Sequence, residues 1–424
     1  MEDFVRFLDD SPTVYHAAEI IVQRLAKAGF TPLKEGEKWK LTPGKGYFVL
    51  REDSLVAAFR LPTASPRGMT LLASHIDSPG LKLRPHPDLT THGIGQLGTE
   101  IYGAPILHTW LDRDLVAAGR LTLQNAKGHI HSKIVYLDEC PMIIPQLALH
   151  LDRPNPEKGF QVKPQEHLKP IFSLNAKEKH FEEWLLHRFP DLLSCDLFLV
   201  PLEKASFLGI DKELIAASRL DNLTSAYACL YALLHAEPSK ETLQMAVFWN
   251  HEEIGSRTYV GADSSFIDGL LERISISLKL DREDHYLLKS QSHCLSVDLA
   301  HGFHPSYADK YDVGNSASLG KGVVLKFNAN QKYATSSAGA AKIVSLAKKQ
   351  KIPLQKFASR SDIPSGSTVG SIMAAALNIP TVDLGIAGFA MHSIREVISV
   401  QDEMKLCHLL KAALVEPMLF LEES

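Results

Sequence analysis

The chain has 424 residues, 45% apolar and 22% charged, the proportions of a folded globular protein whose length exceeds what one core usually fills, so two domains are expected. A formal net charge of −4 offers no broad positive field for nucleic acid or an anionic membrane surface. No apolar run approaches the ~20 residues of a membrane span, the acidic start at Glu2 and Asp3 does not suit a signal peptide, and the five scattered cysteines form no C-x-x-C pair, so neither a disulfide framework nor a cysteine zinc site is expected and a cytoplasmic location is.

Ser11 and Pro12 predict a helix start, followed by Val14, Ala17, Ile21 and Leu25 at helical spacing and ended by Gly29. Residues 47–51 and 55–61 read as strands, and 69–74 as a compact apolar strand that runs straight into His75. From Leu81 to Ile210 the texture changes to short alternating strands, interrupted by a Pro- and Lys-rich stretch at 153–170. This predicts a β-rich domain at 81–210, inserted into a domain built from 1–80 and 211–424. After Asp221 a longer alternation returns: helix 223–236, strand 243–249, strand 293–297, helix 335–349 and strand 381–384. That order predicts a doubly wound mixed α/β sheet.

Open α/β sheets build their sites at the carboxyl ends of the strands. Here those ends lead into His75 and Asp77, into His251-Glu252-Glu253, into Asp298, and into the turn carrying His392, while Asp221 stands just before a helix. Each piece has an ordinary alternative: H-x-D is commonly a satisfied polar pair, adjacent glutamates are commonly solvated, and a lone histidine or aspartate commonly packs or caps. Recurrence at four strand ends points instead to a metal site. Rival chemistries fall short. Gly255 stands where a zincin needs its second histidine, Thr368 where a nucleophile elbow needs serine, and Gly322 where a phosphate loop needs Ser or Thr.

Read in order, SHIDSPG (74–80), HTWLDRDL (108–115), SRLDNL (218–223), HEEIGS (251–256), SVDLAHGFHP (296–305), LKFNANQKYAT (325–335), SGSTVG (365–370) and GIAGFAMHS (385–393) resemble the aspartyl aminopeptidase family of dinuclear zinc peptidases over nearly the whole chain. The resemblance implies that Asp221 bridges two zinc ions, with His75 and Asp298 completing one site and Glu253 and His392 the other. It implies Glu252 as general base and a cis peptide between Asp221 and Asn222. It further implies that Lys326, with Tyr333 and His304 nearby, receives an acidic N-terminal side chain. The inserted domain then mediates dimerisation within a dimer-based dodecamer, and His108 reaches a neighbouring subunit's site. Asn250, Ile363, Ser365 and Lys332 depart from the family's usual residues, sparing every implied ligand.

Three carboxylates and two neutral imidazoles suit two Zn²⁺ ions, with Mn²⁺ or Co²⁺ as possible substitutes. Asp77, two residues after His75, suits the role of accepting the other imidazole proton. The expected function is a metallo-aminopeptidase acting on peptides with N-terminal Asp or Glu. A broad or neutral-residue aminopeptidase is the alternative. A catalytically silent peptide-binding scaffold is a third reading, against which the intact Glu252 argues.

Overall fold

The computed structural model describes residues 1–151 and 161–416; positions 153–160 of the Pro- and Lys-rich stretch lie outside the described residues. Its central sheet has nine strands. From one edge to the other they are Thr31–Pro32, Gly46–Arg51, Leu55–Arg60, Thr242–Trp249, Gly68–His75, His293–Val297, Thr381–Gly385, Val323–Lys326 and Leu354–Phe357. The four from Thr242–Trp249 to Thr381–Gly385 run parallel, so their carboxyl ends share one edge. The Leu55–Arg60 strand flanks them antiparallel on one side and Val323–Lys326 on the other, which makes the sheet mixed.

Alternation along each strand divides the core between two faces. Leu72, Ala246, Phe248, Leu295 and Val297 pack with helices Val14–Lys27, Leu220–His235 and Val400–Val415. Leu71, Ala73, Met245, Val247 and Trp249 pack on the other face with helices Phe266–Ser277 and Val369–Leu377. Helices on both faces are what the doubly wound pattern predicts, and they are why these strands read as continuous apolar runs.

Strands Gly80–Thr91, Ile94–Tyr102, Asp114–Gln124, Ile130–Ile143, Ile171–Ser173 and Leu192–Pro201 close a barrel with its own core, including Leu81, Leu97, Leu121, Leu137 and Leu197. A third, five-stranded sheet joins Ser206–Leu208, Leu214–Ala217, Glu396–Ser399, Ala387–Phe389 and Ala300–His301.

Element ends differ from the sequence reading where a local hydrogen bond competes. The helix expected from Ser11 begins at Val14, because Thr13 is still extended and its hydroxyl bonds His16 Nδ1 at 2.8 Å. The helix expected from Thr335 begins at Ser337, where the Ser336 hydroxyl accepts the Gly339 N–H at 3.1 Å. Among the described residues no helix is long and apolar enough to cross a membrane.

Glu403 on the Val400–Val415 helix is 0% exposed, its Oε1 accepts from Cys407 Sγ at 3.8 Å, and its Oε2 has no partner among the described residues. Burial holds this carboxyl well above the usual range. The folded state therefore keeps a proton that the unfolded chain releases near pH 4.3, so stability falls as pH rises from there towards the folded value. Glu403→Gln, which cannot ionise, should match wild type near pH 5 and melt a few degrees higher at pH 8, measured by calorimetry on chelator-treated protein. A difference in Tm that does not change with pH would show that Glu403 is not the protonated group.

Candidate metal centre

The parallel strands deliver the side chains. His75 is the last residue of Gly68–His75 and pairs in register with Trp249, which leads into Asn250 and the His251–Ser256 turn. That turn is a single 3₁₀ turn at Glu252–Ile254, bounded by left-handed His251, Gly255 and Ser256, and Ser256 N–H returns to His251 O at 2.8 Å. It is a geometry no zincin helix could adopt. Asp298 follows Val297 and lies against the end of Thr381–Gly385, so closely that a Cβ at Gly385 would fall 1.9 Å from Asp298 O. Asp221 enters from the five-stranded sheet through a left-handed Arg219, and the Asp221–Asn222 peptide is cis, as the resemblance implies.

The structure brings all five expected ligands together. His75 Nε2 lies 3.6 Å from Asp221 Oδ1 and 3.8 Å from Asp298 Oδ1. On the other side of Asp221, His392 Nε2 lies 3.3 Å from Asp221 Oδ2 and 3.4 Å from Glu253 Oε2. Ligand atoms of His75, Asp221 and Glu253 all fall within 4.8 Å of one another. Glu252 stands beside them, Oε2 3.9 Å from His75 Nε2.

These spacings exceed the 2.7–2.9 Å of a charge-assisted hydrogen bond. They approach instead the separation of about 3.3–3.6 Å expected between two donors bound tetrahedrally at about 2.0–2.2 Å to one zinc ion. Both imidazoles are oriented for that use. His75 Nδ1 donates to Asp77 O at 3.0 Å and His392 Nδ1 donates to Ala104 O at 3.0 Å, which turns each Nε2 towards the carboxylates. Asp221 Oδ1 and Glu253 Oε1 are buried without a hydrogen-bond partner among the described residues. Buried carboxylates with orphan oxygens, set beside imidazole nitrogens, are the donor set a zinc ion requires, so the residues fit the metal.

Charge tells the same story. Burial pushes the Glu252 carboxyl up to about 8, with Asp298, Asp77 and Asp221 adding to the shift and His75 opposing it. Burial and the Asp221 carboxylate hold Glu253 well above its ordinary value. Burial works to lower His75, but Glu252, Asp221, Asp298 and Asp77 outweigh it and hold the imidazole well above its usual range. Divalent cations relieve this crowding and release the protons it retains.

Asp77 does more than the sequence reading assigns it. The His75 proton goes to its backbone carbonyl, while the carboxylate is 3.4 Å from Nδ1. That carboxylate accepts Glu252 N–H at 3.2 Å, Glu253 N–H at 3.1 Å and the Tyr102 hydroxyl at 2.7 Å, so it shapes the glutamate turn.

The substrate residues are more dispersed. Lys326 is 2% exposed, donates to Leu299 O at 2.8 Å and has its Nζ 3.6 Å from Asp298 Oδ2 and 5.4 Å from the Tyr333 ring centre. His304 lines a cleft of about 180 Å³ with His392, Tyr311 and His301. His301 also lines a neighbouring cleft of about 320 Å³ that holds Ile363 and Ser365, two of the positions departing from the family pattern. Sequence reasoning missed His301; its signal was its place three residues after Asp298. His108 is exposed on the Leu107–Trp110 turn, and among the described residues no hydrogen bond or ion pair joins it to the cluster. A separate cavity of about 240 Å³ reaches Asp221 and His392 from the barrel side, lined in part by Tyr15, Tyr102 and Arg219.

The near-miss phosphate loop has a local explanation. Gly320 and Gly322 N–H groups donate to the buried Asp402 carboxylate at 2.6 and 2.8 Å, so the turn already holds an internal anion.

Comparison with known proteins shows the family. A probable M18 family aminopeptidase 2 of Pseudomonas entomophila is 41% identical over 419 residues, covering 96% of this chain and 95% of the relative. The Ape4 chain from its complex with Nbr1 superposes with a TM-score of 0.92 at 32% identity, covering 97% of this chain and 84% of that one. The S. cerevisiae mApe1 dodecamer shares the fold, with a TM-score of 0.84 at 24% identity over 97% of this chain and 95% of that one. The profile of the aminopeptidase I zinc metalloproteases matches residues 7–413, and with these relatives it shows that the chain belongs to the M18 family of zinc aminopeptidases.

Proposed function

We propose that the centre is dinuclear, with His75 and Asp298 holding one zinc ion, Glu253 and His392 the other, and Asp221 between them, and that the enzyme prefers peptides with N-terminal Asp or Glu. The observation that carries the first part is Asp221 itself: its two oxygens face different imidazoles, at 3.6 and 3.3 Å. Bound zinc would supply Lewis acidity and a water whose pKa approaches about 7. Glu252, beside the ligands without being needed as one, is placed to take a proton from the attacking water and return it to the leaving amine nitrogen as the peptide C–N bond breaks. Asp77 holds Glu252 and Glu253 through their backbone N–H groups, so the base and its neighbouring ligand keep a fixed relation.

For acidic preference the candidate cation is Lys326. One donor serves Leu299 O and the nearby Asp298 balances part of the charge, which leaves an ammonium donor for a substrate carboxylate. Lys326→Met should lower kcat/KM for N-terminal Asp or Glu by about 10- to 150-fold and affect N-terminal Leu much less, as loss of a charge-assisted hydrogen bond predicts. A panel of N-terminal residues, with zinc content measured alongside, decides between readings. The burial of Lys326 against Asp298 favours a second one, in which the lysine steadies a ligand and the enzyme is broad in specificity. An equal fall for Asp and Leu substrates together with zinc loss would establish that reading.

Assembly follows by analogy with the mApe1 dodecamer. We infer a homo-oligomer in which the barrel makes the dimer contact and exposed His108 faces a neighbour's site.

A further inference from the structure

Glu396 was not among the candidate residues, yet its carboxylate is 1% exposed and lies between the two turns that carry Asp221 and His392. Oε2 accepts the Asp221 backbone N–H at 3.0 Å, and Oε1 accepts the His392 backbone N–H at 2.9 Å. The fold makes this meeting possible. In the five-stranded sheet Ala217 pairs opposite Glu396, so the chain leaving Ala217 for Asp221 and the chain arriving from His392 pass side by side. Both turns use left-handed backbone at residues with side chains: Arg219 at φ 62°, and Ala390 and His392 at φ 55° and 68°. Such conformations persist where surrounding contacts impose them.

A carboxylate is suited to the task because it accepts on both oxygens; an amide would present one acceptor and one donor to two N–H groups. The His392 ring is oriented separately, by Nδ1 donating to Ala104 O. Glu396 therefore acts on the backbones, not on the side-chain donors. It is at the backbone level that the 3.3 Å gap between Asp221 Oδ2 and His392 Nε2 is set.

We propose that Glu396 is a positioning residue for the metal centre, holding the backbones of Asp221 and His392 in fixed relation and so acting most strongly on the ion shared by Asp221, Glu253 and His392, two of whose residues it holds. The inference rests on reading those residues as ligands of one ion. Among the described residues, the hydrogen bonds that Glu396 makes to the centre are those with the two amides.

The test is a zinc titration of metal-free wild type, Glu396→Gln and His392→Ala against a competing chelator, with the Tm of each metal-free protein. Wild type should take up two ions. Glu396→Gln should weaken binding of the ion on the His392 side by about 10- to 100-fold, the usual consequence of losing a group that orients a ligand, and of the other ion by distinctly less, and added zinc should restore its turnover. Should Glu396→Gln not fold, Glu396→Asp carries the same test, since it is one carbon too short to reach both amides. A variant that binds both ions as tightly as wild type, with at most a lower metal-free Tm, overturns the proposal and leaves Glu396 a purely structural residue. A wild type that binds fewer than two ions, or His392→Ala that still binds two normally, overturns instead the ligand reading beneath it.

Discussion

Glu252→Gln should lower kcat by about 10²–10⁴ while zinc stays bound and KM moves little, the loss expected when a general acid–base group is neutralised. The amide matches the carboxylate in shape, and the hydrogen bond from residue 252 to Asp77 is a backbone bond that survives the change. Zinc should stay bound because Glu252 stands beside the five residues read as ligands without being one of them. Metal analysis of the purified variant separates the two possible causes of a slow enzyme. Near-normal turnover with full zinc occupancy would remove Glu252 from the proton-transfer role.

Asp221→Asn is expected to act earlier, on the metal itself. Asp221 is the one carboxylate whose oxygens face both imidazoles, so its loss should reach both ions. Changing residues that merely orient a ligand costs about 10- to 100-fold in metal affinity; loss of a bridging charge should therefore exceed about 10²-fold, and activity should fall with zinc content. The metal-free variant also loses the pairing of Asp221 with His75 and His392, so its Tm is measured alongside to separate lost metal from lost fold. Two tightly held ions in Asp221→Asn would disprove the bridge.

What could be read in advance depended on distance along the chain. His75, Glu253 and Asp298 follow buried apolar strands closely, and such strands announce themselves by composition, so these residues were visible as strand-end chemistry. Asp221 was visible mainly through resemblance, because it is delivered by a different sheet and a left-handed turn. Glu396 was invisible. Its role requires the pairing of Ala217 with Glu396, a contact across 179 positions that no local pattern encodes. Lys326 was visible only through resemblance, because nothing local announces a lysine that ends a four-residue strand whose members are all buried. The glycine-rich turn at 320–322 resembled an anion site correctly in its physics; the anion is Asp402, supplied 80 residues later.

Among the contacts the barrel side makes with the centre are two that set its side chains, the Tyr102 hydroxyl on Asp77 and the Ala104 carbonyl on His392 Nδ1, the latter just beyond the Ile94–Tyr102 strand. A chimaera that grafts a relative's barrel onto this body must carry both groups across in register, or the hybrid will fold around a misaligned imidazole. The barrel keeps a core of its own, yet its chemistry at the centre is inherited together with the body's.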